Sequence, residues 1–134
     1  MPNPGSAAPI RVVIADDDQL YLSSLRELID RQPELAVVGS AKDGLEAIEL
    51  VEALSPEAAV IDLHMPRLDG VHALERLRRQ HPSLCLIALT GDPEPELGRA
   101  ATRAGADGVF LKGELVEKLI ERLAGLGGND GAPR

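Results

Sequence analysis

The chain has 134 residues, 44% hydrophobic and 27% charged, which suits one folded domain with its own core and excludes a disordered chain. Its 14 basic and 22 acidic side chains leave a net charge of −8, which argues against nucleic-acid binding by this segment and favours a cation or a basic partner. With one Phe, one Tyr and no Trp, the core must be built from Leu, Val, Ile and Ala.

Residues 1–9 are rich in Pro, Gly, Ser and Ala and read as a flexible lead-in without the basic flank or apolar stretch of a signal peptide. Ile10 to Ala15 is a short apolar run with β-branched residues at its heart, as expected of a strand buried on both faces. From Asp18 to Gln32 the period changes to that of a helix, with Tyr21, Leu22, Leu25, Leu28 and Ile29 on one face and Pro33 as the stop. The alternation then repeats. Leu35–Ala41 predicts a strand, and Asp43–Leu54 a helix with Leu45, Ile48, Val51 and Leu54 as its apolar residues. Glu57–Leu63 is strand-like, and Val71–Gln80 is helical with Leu74 and Leu77 inward. Leu84–Thr90 is the most apolar strand and contains Cys85, which reads as a small core hydrophobe. A helix with a weak apolar face is expected over Glu94–Ala104, then a strand over Asp107–Lys112 and a helix over Glu114–Leu123 carrying Leu115, Leu119 and Leu123. Residues 125–134 are Gly-rich and read as a frayed tail or linker, leaving 10–124 as the domain.

Five strand–helix pairs in strict alternation predict an α/β fold: a doubly wound, five-stranded parallel sheet of order 2-1-3-4-5 with five helices on its two faces. No apolar run approaches the roughly 20 residues of a membrane span, and the single cysteine fits a reducing compartment, so a cytoplasmic protein is expected.

In such a sheet, ligands bind beyond the carboxyl ends of the strands, near the switch in winding direction. Here the first strand ends in Asp16-Asp17-Asp18, the third carries Asp62, the fourth ends in Thr90 and the fifth in Lys112. Carboxylates brought this close repel unless one takes a proton or the group binds a cation, and Mg²⁺ is a hard ion suited to one or two carboxylates. A further carboxylate can attack phosphorus to give an acyl phosphate, with Lys112 supplying positive charge and Thr90 a hydrogen-bond donor. Asp18 alone is explained as a helix N-cap, but the two acids before it are not.

On these residues the sequence resembles the receiver domains of bacterial two-component response regulators. The likeness runs from about Ile10 to Leu123 and rests on Ala-Asp16-Asp17, Asp62-Leu-His-Met-Pro66 with Leu68-Asp69-Gly70, Ala88-Leu89-Thr90, Ala104-Gly105-Ala106-Asp107-Gly108 and Lys112. It implies that Asp62 accepts a phosphoryl group from a histidine kinase or phosphotransfer protein. Asp17 would bind Mg²⁺ directly and Asp16 mainly through water, with Asp62 and the backbone carbonyl of His64 completing the protein ligands. Thr90 and Lys112 would each meet a phosphoryl oxygen. The resemblance further implies dimerisation through the fourth helix, fifth strand and fifth helix, self-catalysed phosphotransfer rather than turnover of a substrate, and a transcriptional regulator as one possible whole protein.

Two departures stand out. Val109 occupies the place of the family's Tyr or Phe, which puts the aromatic form of the switch in doubt; Phe110 alternates to the other face and is expected in the core. Gly113 replaces a frequent Pro and predicts a looser loop. His72 and His81 read as ordinary surface residues, and Gly70 as a permissive backbone position. An aspartyl phosphatase of related layout is the alternative function, but it would need a second Asp where His64 stands. A flavin or dinucleotide carrier would need a Gly-rich or Ser/Thr-rich loop where Asp16-Asp17-Asp18 stands.

Overall fold

The computed structural model describes residues 8–65, 68–91, 94–114 and 116–128. Pro66, Leu115 and most of the expected lead-in and tail lie outside them. Strands β1 (Ile10–Ala15), β2 (Leu35–Ala41), β3 (Ala58–Asp62), β4 (Cys85–Thr90) and β5 (Gly108–Leu111) alternate with helices α1 (Gln19–Asp30), α2 (Gly44–Leu54), α3 (Gly70–Gln80), α4 (Pro95–Ala104) and α5 (Val116–Gly128). The strands form one parallel sheet of order β2-β1-β3-β4-β5, the order expected from the alternation.

Strand alternation divides the core into two layers. Val13, Ala59, Ile61, Leu86 and Ala88 face α2, α3 and α4, packing on Ile48, Val51, Leu74, Leu77 and Ala101. Val12, Ile14, Val60, Ile87 and Leu89 face the other way onto Leu22, Leu25, Ile29, Leu119 and Leu123 of α1 and α5. Phe110 packs half-buried on this second layer and Val109 on the first, as alternation requires. Cys85 is buried, and burial pushes its thiol above the ordinary value.

Local choices differ in places from the sequence reading. Leu45 is turned to solvent and Ala47 takes the inward position on α2. Helix α5 does not stop at Leu123: it continues to Gly128, and Leu126 packs on the α1/α5 layer. No helix among the described residues is long and apolar enough to cross a membrane.

At the end of the sheet opposite the acidic strand ends, Arg78 of α3 ties several segments together. Its guanidinium donates to the carbonyls of Gly105 (2.8 and 3.1 Å), Pro82 (2.8 Å) and Leu84 (2.9 Å), and to Asp107 Oδ2 at 2.8 Å. That carboxylate oxygen also accepts from the Leu86 amide. Gly105 ends α4 at φ +117°, and a Cβ there would lie 2.7 Å from Arg78 Cγ, so only glycine permits this approach. Replacing Arg78 by Met keeps the stem but strands the carbonyls and Asp107. A stability loss of about 2–4 kcal/mol is expected from a denaturant midpoint, on the scale of losing several charge-assisted hydrogen bonds.

Candidate functional site

The carboxyl ends of β1, β3, β4 and β5 bring Asp16, Asp62, Thr90 and Lys112 to one edge of the sheet. Register fixes them: Ala15 pairs with Ile61, Asp62 with Leu89 and Thr90 with Leu111. The Lys112 amide donates to the Thr90 carbonyl at 2.8 Å, and the Leu63 amide to the Leu89 carbonyl at 2.8 Å. The following turn is closed from both sides, with the Leu111 amide on Glu114 Oε1 and the Glu114 amide on the Leu111 carbonyl. Gly113, expected to loosen this loop, thus lies within a bonded turn.

Asp16, Asp62 and Thr90 are buried polar groups, at 1%, 2% and 2% exposure, whereas Asp17 is exposed. Asp16, Asp17 and Asp62 each offer a carboxylate oxygen, all within 4.8 Å of one another. Lys112 Nζ stands 2.6 Å from Asp16 Oδ2 and 3.4 Å from Asp62 Oδ2. Three carboxylates against one ammonium leave the pocket short of positive charge. A divalent cation would supply it, and an all-oxygen donor set matches a hard ion such as Mg²⁺. The acidic cluster therefore fits the ion that the sequence suggests.

The electrostatics record the same shortage. Burial, then the charge of Asp16, pushes the Asp62 carboxyl up from 3.8 to about 6, against the pull of the His64 amide and Lys112. Burial alone would lower the Lys112 ammonium, but its hydrogen bond to Asp16 and the charge of Asp62 outweigh that and hold it above its ordinary value.

Helix caps frame the pocket. Asp18 accepts from the Leu20 and Tyr21 amides at the start of α1, Asp43 from the Glu46 amide of α2, and Asp69 from the His72 amide of α3. Asp18 is the N-cap expected of it, and its own amide donates to Asp16 Oδ1 at 2.9 Å, which orients the buried carboxylate. His64 is exposed, and its amide donates to Asp62 Oδ1 at 3.3 Å, so the loop after β3 holds the carboxylate from the backbone side.

Three contacts were not read from the sequence. His72 is exposed, the surface residue expected of it, and its Nδ1 lies 2.8 Å from Asp69 Oδ2 one helical turn back. The pair is exposed and completes the α3 cap. Gly70 has no positive φ; its requirement is space, because a Cβ would sit 2.3 Å from the Asp62 carbonyl oxygen and 2.5 Å from Leu63 Cα. Tyr21, read only as a packing residue, carries Lys112 Nζ 4.7 Å from its ring centroid. An aromatic in the first turn after a strand-end acid is the one signal that pointed to it.

Residues 12–124 match the response regulator receiver domain family. The chain is 35% identical over 112 residues to an uncharacterized transcriptional regulatory protein, YhcZ, of Bacillus subtilis, covering 84% of this chain and 52% of that protein. It is 40% identical over 123 residues to protein-glutamate methylesterase/protein-glutamine glutaminase 5 of Myxococcus xanthus, covering 90% of this chain and 34% of that one. The chain thus spans about half the length, or less, of the curated relatives it matches. Its fold superposes on the signal receiver domain of the putative response regulator NarL from Mycobacterium tuberculosis with a TM-score of 0.83 and 28% identity, covering 93% of this chain and 99% of that one. The fold, the strand-end cluster and these likenesses together place the chain in the receiver-domain family of two-component response regulators.

Proposed function

We propose that this receiver domain takes a phosphoryl group on Asp62 and uses it to switch the binding of a partner or effector. The observation that carries this reading is the buried Asp62 carboxylate, 3.4 Å from the Lys112 ammonium and within one cluster with Asp16 and Asp17. In the transfer an Asp62 oxygen attacks phosphorus, the bond to the donor's histidine nitrogen breaks, and its electron pair stays on the imidazole. Lys112 is placed to neutralise charge on the transferring group, and Thr90, at the buried end of β4, to bond one of its oxygens. Asp17, Asp16, Asp62 and the His64 carbonyl would hold Mg²⁺. When bound, the ion supplies further positive charge beside the phosphoryl oxygens.

We take residues 10–124 as the functional unit, a reading supported by the family match over 12–124. Its donor is a histidine kinase or phosphotransfer protein, and its place is the cytoplasm. The names of the relatives attach such a domain to transcriptional regulation and to a methylesterase. The phosphoacceptor reading fits either output, and we favour a transcriptional one, which the likeness to the transcriptional regulatory protein YhcZ over 84% of the chain supports. The chain itself acts as a self-phosphorylating switch rather than an enzyme with turnover. A phosphatase is disfavoured because the exposed His64 stands where its general acid would be. The signal would leave through α4, β5 and α5, where a groove of about 460 Å³ is lined by Pro95, Gly98, Arg99, Thr102, Arg103 and Val109. Val109 fills less of it than an aromatic would, and this face is our candidate for self-association.

The test is the intact mass after treatment with acetyl phosphate and Mg²⁺. One added phosphoryl group, stable in acid, labile in base and mapped to the peptide containing Asp62, is the expected result. No uptake, or uptake elsewhere, overturns the reading.

A further inference from the structure

We propose that Tyr21 is a positioning residue of this site, whose ring face holds the Lys112 ammonium against Asp16 and Asp62. The inference rests on the phosphoacceptor reading and adds to it a residue outside the strand-end cluster.

The geometry is a closed circuit. Asp16 Oδ1 accepts from the Asp18 amide (2.9 Å), and Asp18 Oδ1 accepts from the Leu20 and Tyr21 amides (3.1 and 3.2 Å). This cap fixes the first turn of α1 and with it the root of the Tyr21 side chain. The Tyr21 ring then meets Lys112 Nζ at 4.7 Å, and Nζ returns to Asp16 Oδ2 at 2.6 Å. Each link constrains the next, so the aromatic face and the buried carboxylate approach the ammonium from different elements.

Lysine is a flexible four-carbon stem with three rotatable donors, and it positions poorly unless something restrains it. A half-buried Lys112 whose headgroup touches a ring face loses that freedom before reaction, which is when preorganisation counts. Burial keeps the Tyr21 phenol above its ordinary value, so the ring stays neutral and electron-rich toward the cation. The hydroxyl has no part in this account, which predicts that Phe replaces Tyr and that an aliphatic residue does not.

The experiment uses the full chain with acetyl phosphate and Mg²⁺, in Tyr21→Phe and Tyr21→Leu, each also in a Lys112→Ala background. Tyr21→Phe should label near the wild-type rate and Tyr21→Leu about two- to tenfold more slowly, the span of a partly desolvated cation–π contact. In the Lys112→Ala background Tyr21→Leu should cause no further loss, which a merely structural role would not produce. Independently, the Lys112 ε-methylene protons should show an upfield ring-current shift in wild type and Tyr21→Phe that Tyr21→Leu removes.

Equal slowing by Tyr21→Phe and Tyr21→Leu, undiminished slowing without Lys112, or the absence of the ring-current shift each overturns the proposal. Should Tyr21→Leu fail to fold, the shift in wild type and Tyr21→Phe decides alone. If wild type takes up no phosphoryl group, the phosphoacceptor reading fails, while the resonance still decides whether Tyr21 holds Lys112.

Discussion

Asp62→Asn is expected to abolish phosphoryl uptake and at the same time to stabilise the metal-free protein at neutral pH. The first effect follows from chemistry: the amide keeps the size of the carboxylate and one acceptor oxygen but is no nucleophile toward phosphorus. The second follows from charge. Asp62 is buried beside Asp16, so its ionised form is disfavoured in the folded chain.

The sign can be worked through. The folded-state pKa of about 6 lies above the ordinary 3.8, so the folded chain binds more protons than the unfolded chain between those values. The stability linked to this proton is fully present below about pH 4 and is lost as pH rises through about 6. The separation corresponds to a contribution on the order of 1–3 kcal/mol. In EDTA, wild-type stability should therefore fall across pH 4–6.5 relative to Asp62→Asn, and the variant should be the more stable by about that amount at pH 7.5. Adding Mg²⁺ should narrow the gap, because an ion that binds only the folded carboxylate cluster stabilises wild type more than the variant. Parallel pH profiles for the two proteins in EDTA would refute the account.

Much of the fold was legible because its inner strands, β1, β3 and β4, are buried on both faces and all five are short runs between polar or turn residues. β1 and β2 read as short apolar runs bounded by polar or Pro residues, and the structure ends them where the sequence does. α5 was less legible, because Gly125, Gly127 and Gly128 look like a helix stop. Leu126 extends the stripe of Leu119 and Leu123, and burial against the α1/α5 layer overrides the weak propensity of the glycines. The site was visible as four strand ends because topology alone brings those to one edge. Contacts that cross between elements were not visible. The ring of Tyr21 and the ammonium of Lys112 are far apart in sequence, and no periodicity links them. The hold of Arg78 on the turn at Gly105 likewise joins residues far apart in sequence.

Gly70→Ala is expected to damage the site from behind, through the backbone of Asp62 and without touching a polar side chain in it. Gly70 opens α3, and its amide donates to the Leu63 carbonyl at 3.2 Å, which draws the helix start onto the chain just after Asp62. A methyl group there would meet the Asp62 carbonyl oxygen at 2.3 Å and its carbon at 3.0 Å. Both belong to backbone in a fully buried strand, so neither can rotate away. Greater helix propensity would favour Ala by at most about 1 kcal/mol, whereas overpacking against fixed backbone costs about 1–3 kcal/mol or more. The clash therefore wins, and relief requires α3 to withdraw or the end of β3 to shift, either of which displaces Asp62 from Lys112. A lower denaturant midpoint together with slower acetyl phosphate labelling is the expected pair of results. Gly113→Ala serves as the control, since a Cβ there meets nothing within 4 Å and the φ is not left-handed, so it should leave stability nearly unchanged. Wild-type stability and labelling in Gly70→Ala would show that the approach of α3 to the phosphoacceptor strand is not what requires glycine.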